Sequence, residues 1–133
     1  MRATQLINNL KDPIKEIKII REGVSPELIE HFLNEWSFFV KDILNSLQIP
    51  KSTYFAKKRT HALLDPSTTE KFLRLISVAQ LAKEVIGKNE AKNWLYRPIP
   101  SLGDQAPMDL LDTEVGHRLV EQTLMQIKYG IYG

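Results

Sequence analysis

Apolar residues in this chain recur at spacings of three and four, the period of a helix face, with no sustained two-residue alternation. Strand signals are weak throughout, because no Asn-Gly or Asp-Gly pair joins two β-branched runs. The pattern predicts an all-α fold. Residues 12–22 read as a mostly charged helix stopped at Gly23. Ser25-Pro26-Glu27 is a start signal, an N-cap followed by proline at the first helical position, and the helix it opens should bury Leu28, Phe32 and Trp36. A further helix should start near Ser37 with Val40, Ile43, Leu44 and Leu47 inside, and stop around Gln48, since Pro50 disfavours helical geometry at Ile49. Another should restart about Ser52 and run through Tyr54 to Arg59.

Leu64-Asp65-Pro66-Ser67 marks a boundary between halves. Beyond it, Phe72, Leu75, Ile76, Ala79, Ala82 and Ile86 form one long stripe that Gly87 ends. Residues 93–107 hold three prolines and a glycine and read as an ordered loop or single turn, with Pro107 opening a short turn through Leu111. Asp112 or Thr113 then caps a last helix with Val115, Leu119, Leu124 and Ile127 expected inside. The expected organisation is 1–23, 24–65 and 66–133. There is no internal repeat and no low-complexity segment.

The 133 residues, 43% hydrophobic and 26% charged, suit one compact globular domain or two small lobes. Cysteine is absent, the first residues form no signal peptide, and no apolar run approaches a membrane span. A cytoplasmic home and no membrane are the expectation. Net charge is only +2, but residues 43–64 contain no acidic side chain and carry Lys51, Lys57, Lys58 and Arg59. Such a patch fits phosphate contact, or an ordinary solvated face. Two tightly joined helices, the second opening with Lys51, Ser52 and Thr53, match a helix-turn-helix whose second helix meets base edges and phosphates. Lys57, Lys58 and Arg59 would hold the backbone. A helical hairpin with surface lysines would look similar.

Catalytic and metal readings find little support. His31, His61 and His117 lie far apart and in no ligand spacing, Gly87, Gly103 and Gly116 form no phosphate-cradling loop, and no nucleophile–base pair is legible. The helix dipole accounts for Asp109, Asp112 and Glu114 at a helix start. No enzyme, metal or cofactor is expected. Gly116, inside a helix, reads as a close backbone approach, Gly103 as a tight turn, and Trp94 as core.

The second half resembles the toxin-binding domain of the Xre/MbcA/ParS antitoxins. The resemblance is carried by Ala91-Lys92-Asn93-Trp94-Leu95, Pro98, Ser101-Leu102-Gly103, the string APMDLLDTEVG at 106–116, Val120 and Ile127-Lys128-Tyr129-Gly130. Residues 24–65 resemble that family's Xre-like helix-turn-helix in Ile49-Pro50-Lys51-Ser52-Thr53-Tyr54 and Lys57-Lys58. They depart from it at Gln48, where glycine is common, and at Ala56, where a basic residue is common. The resemblance implies a homodimeric antitoxin that represses its operon by binding operator DNA and blocks a cognate RES-domain, NAD-consuming toxin. It places toxin contacts at Tyr129, Gly130, Ile131, Tyr132 and Gly133, with Thr113 and Arg118 as a second region. The alternatives are a free-standing helix-turn-helix regulator, which would bind operator without a partner, and an unrecognised enzyme, which would turn over a metabolite.

Overall fold

The computed structural model describes residues 1–130. Among them are eight α-helices and two short 3-10 turns, with no strand and a lone antiparallel bridge between Ile99 and Gln105. The all-α expectation holds. None of these helices is long and apolar enough to cross a membrane. The chain divides into two compact units, Met1–Leu73 and Arg74–Gly133. The division falls inside the 21-residue helix α6 (Pro66–Ile86).

The first unit begins with α1 (Ala3–Asn9), which the apolar pattern did not announce, and α2 (Pro13–Glu22), capped by the Asp12 carboxylate. In α3 (Pro26–Glu35) the Ser25 hydroxyl accepts from the Leu28 amide, as its N-cap position requires. Ile29, Phe32, Leu33 and, just beyond, Trp36 are buried, whereas Leu28, expected inside, is only half-buried. The next helix, α4 (Val40–Ser46), starts three residues later than the pattern suggests.

The reason is the way α3 stops. Ser37 takes a left-handed conformation (φ 57°), and the Phe38 amide reaches back to the Leu33 carbonyl at 2.9 Å. The same closure recurs twice, at Gln48 with Ile49 bonding to Leu44, and at His61 with Ala62 bonding to Lys57. Glycine usually fills such a position, so the stop at Ser37 carries no sequence signal, whereas the one at Gln48 is announced by Pro50. The residues following the first two, Phe38 and Ile49, turn back into the core.

After α4 the chain passes through Leu47, Gln48, Ile49 and Pro50 into α5 (Lys51–Arg59), which packs on α3. The Lys71 ammonium donates to the Gln48 carbonyl at 2.9 Å and fixes this turn. Gly23 does more than end α2. At φ 89° its missing side chain makes room for the Leu64 carbonyl, and a Cβ there would overlap it. Alongside, the Leu64 amide donates to Val24, the Val24 amide to the Thr69 hydroxyl, and that buried hydroxyl to the Leu64 carbonyl. Asp65 caps α6, and its hydrogen bonds from Thr68 hold its carboxyl below the ordinary aspartate range.

In the second unit, Leu75, Ile76, Val78, Ala79 and Ala82 of α6 are buried. Ile86 is only half-buried. Helix α7 (Lys88–Leu95) lies partly where a loop was expected. Its single apolar turn, Ala91, Trp94 and Leu95, is too short to show a period, yet all three are buried, Trp94 as core. Two 3-10 turns (Pro100–Leu102 and Pro107–Leu110) lead to α8 (Glu114–Lys128), and the second packs on both α7 and α8.

Candidate functional site

Two surfaces gather the residues singled out by sequence, one in each unit. In the first, α5 opens at Pro50 with no side-chain cap, and Lys51, Ser52 and Thr53 are exposed around its first turn. Amides at an uncapped helix start favour anionic partners. Arg59 is exposed at the far end and Lys57 is half-buried.

Lys58 is held differently. Its ammonium lies 2.9 Å from Glu30 Oε1, while the buried Tyr54 hydroxyl donates to Glu30 Oε2 at 2.8 Å. One carboxylate on α3 thus grips two side chains of α5. Burial, and then the adjoining Glu30 carboxylate, push the Tyr54 phenol well above its ordinary pKa, so it remains a donor. Tyr54 also rests against Phe72, ring centroids 5.9 Å apart. Neither Glu30 nor this role for Tyr54 was legible beforehand, because a lone glutamate on an amphipathic helix resembles any solvated charge.

In the second unit, Thr113 caps α8, its hydroxyl accepting from the Gly116 amide at 3.0 Å. Arg118 Nε lies 2.9 Å from Glu114 Oε2. Gly116 faces the second 3-10 turn so closely that a Cβ would overlap the Leu110 carbonyl. That approach sets the rotation of α8. Gly116, Val120 and Leu124 point inward, and Val115 and Leu119, expected in the core, point out at 58% and 46% exposure. Tyr129 is 65% exposed at the end of the helix, and Gly130 turns through a positive φ of 67°. Ile131, Tyr132 and Gly133 lie outside the described residues.

The histidines remain scattered. His31 and His61 are exposed beside Glu35 and Glu27, and among the described residues no group of His, Cys, Asp and Glu side chains is placed to hold a metal. His117 is different, with its side chain only 19% exposed and Nε2 3.6 Å from Glu121. Burial lowers its pKa, Glu121 opposes that shift, Arg74 adds to it and Glu114 opposes it. The unfolded chain therefore takes up this proton more readily than the native one. Stability from neutral His117 is complete above about pH 6.5, the free-histidine value, and declines as pH falls from there towards the lowered native pKa. Denaturant titrations from pH 8 to pH 5 should show this loss, and His117→Gln should flatten it.

Residues 81–130 match the antitoxin Xre/MbcA/ParS C-terminal toxin-binding domain, which spans α7, both 3-10 turns and α8. The chain is 30% identical over 117 residues to an antitoxin Xre of Yersinia enterocolitica, covering 85% of this chain and 78% of that protein. It belongs to the Xre/MbcA/ParS antitoxin family. Similarity to a Prs ADP-ribosylating antitoxin of Sphingobium sp. is 28% over 130 residues, covering 90% of this chain and 82% of the relative. An antitoxin Xre of Photorhabdus laumondii is 29% identical over 116 residues, covering 85% and 78%. The antitoxin's partner is a toxin, and its second unit contains all of the residues matched to the toxin-binding domain.

Proposed function

We propose that this antitoxin neutralises a RES-domain, NAD-consuming toxin by placing its C-terminal residues, 129–133, across the active-site entrance. The observation that carries this reading is the match of residues 81–130 to a toxin-binding domain, together with an exposed Tyr129 and a left-handed Gly130 that lead out of α8 into residues 131–133. Thr113 and Arg118 form the second contact region, at the other end of α8. The mechanism is steric inhibition, and the antitoxin itself catalyses nothing.

Removing residues 129–133 is expected to leave a folded homodimer that no longer protects cells, read as falling NAD when the toxin is co-expressed. Full protection by the shortened chain would overturn the reading.

The same antitoxin binds its own operator through the helix-turn-helix of α4 and α5, with Lys51, Ser52 and Thr53 at the DNA and Lys57 and Arg59 on the backbone. Lys58, gripped by Glu30, instead fixes α5 on α3. Lys57→Glu with Arg59→Glu should weaken binding to operator and random DNA alike, and reduce the salt dependence by about one counterion per lost phosphate contact. Loss confined to the operator would move base recognition onto these two residues.

A second reading of the toxin's chemistry is favoured by the Sphingobium relative, whose name is Prs ADP-ribosylating antitoxin. ADP-ribosyl transfer also spends NAD, and so presents an entrance of the same kind. Labelled NAD separates the two: label on a protein acceptor identifies transfer, and label left only in free ADP-ribose identifies hydrolysis.

A further inference from the structure

Apolar side chains at helical spacing are expected to be covered, and on α8 two of them are not. Val115 and Leu119 lie outward, while Gly116, Val120 and Leu124 supply the buried face. Their charged neighbours are accounted for within the chain, since Arg118 pairs with Glu114, and Thr113 caps the helix. The fold leaves about half of each of these two aliphatic side chains uncovered. At 3.6 residues per turn, Leu119 and Tyr129 each lie within about 40° of Val115 around the axis, so the three share one ridge about 21 Å long. Exposed Gln122 lies between them, and the ridge carries no unpaired charge.

We propose that this ridge docks in an apolar groove of the toxin and delivers the C-terminal residues to the entrance they block. The inference rests on the reading of the chain as a toxin-blocking antitoxin and adds the surface that anchors it. Helices seated in grooves are held by side chains at just such spacings, with a few aliphatic and aromatic anchors dominating affinity. The occupant is a toxin because the ridge lies within the toxin-binding domain and runs straight into the blocking segment. A phosphate backbone finds no cationic row here. The ridge is too small to make a standard interface by itself with any partner, so the domain that contains it, and not its area, is what favours the toxin over a second copy.

The test uses the full-length antitoxin and the NAD-consuming toxin purified from their stoichiometric complex. Val115→Ser with Leu119→Ser should weaken the dissociation constant on the order of 100-fold, as expected for losing two anchors. Its melting temperature should fall only slightly, because both side chains are about half covered and neither is in the core. Leu119→Met should retain affinity. Unchanged affinity in the double variant, while the chain lacking residues 129–133 fails to inhibit, overturns the ridge and leaves the blocking reading standing. If the shortened chain also inhibits fully, both fall. Conversion of the free antitoxin from dimer to monomer by the double variant would assign the ridge to a second copy, and overturn the proposal as well.

Discussion

Gly116→Ala is expected to destabilise the second unit by about 2 kcal/mol or more and to abolish toxin binding. Alanine ordinarily improves a helix interior by about 1 kcal/mol over glycine. Here that gain is outweighed, because the new Cβ would overlap the Leu110 carbonyl, a backbone atom that cannot swing aside. Overpacking typically costs about 1–3 kcal/mol, and more where backbone must move. Relief comes only by displacing α8 from the second 3-10 turn, which also rotates Val115 and Leu119 off their outward ridge. Urea denaturation followed by circular dichroism measures the first effect, and titration with the toxin the second. A variant as stable as the parent would mean that the turn yields without cost.

Tyr54→Ala should cost the first unit about 4 kcal/mol, the upper range for deleting a large buried side chain. Tyr54→Phe should cost only about 2 kcal/mol, the usual net contribution of a hydrogen bond to a charged group. The contrast follows from the two things Tyr54 does. Its ring fills the space beside Phe72 and Phe55, and its hydroxyl satisfies one oxygen of Glu30 while Lys58 keeps the other. If both variants lost the same amount, the hydrogen bond and not the ring would be holding α5 on α3. The phenylalanine variant also tests DNA contact, because α5 stays folded while its grip on Glu30 is halved.

What could be read from the sequence depended on whether a residue's own chemistry announced its role. Ser25-Pro26, Gly23, Gly87 and Pro107 each force a local geometry, and each element boundary they mark is found in the structure. Ser37 occupies a left-handed helix stop without being glycine, which is why α4 starts later than the pattern suggests. The inner face of α8 departs from the apolar periodicity for a related reason. Val115 and Leu119 are more hydrophobic than Gly116, so periodicity assigned them to the core, whereas the helix turns inward the residue with no side chain. The most apolar stripe and the buried stripe differ where a backbone must come close and where a partner completes the surface. The grip of Glu30 on Tyr54 and Lys58 spans more than 20 residues of chain and leaves no local pattern.

The clasp among Gly23, Val24, Leu64 and Thr69 sets an order of events on the ribosome. Its hydroxyl pivot comes 45 residues after the amide it receives, and every earlier helix of the first unit has been synthesised before Thr69 is added. A nascent chain ending before α6 therefore has all the residues of α1–α5 but cannot close the unit on itself. Such a chain leaves Val24 and Leu64 without their shared partner and the Tyr54 ring without Phe72. Contacts across so many residues form late. Folding of the first unit is thus tied to translation of the start of α6, its last helical segment.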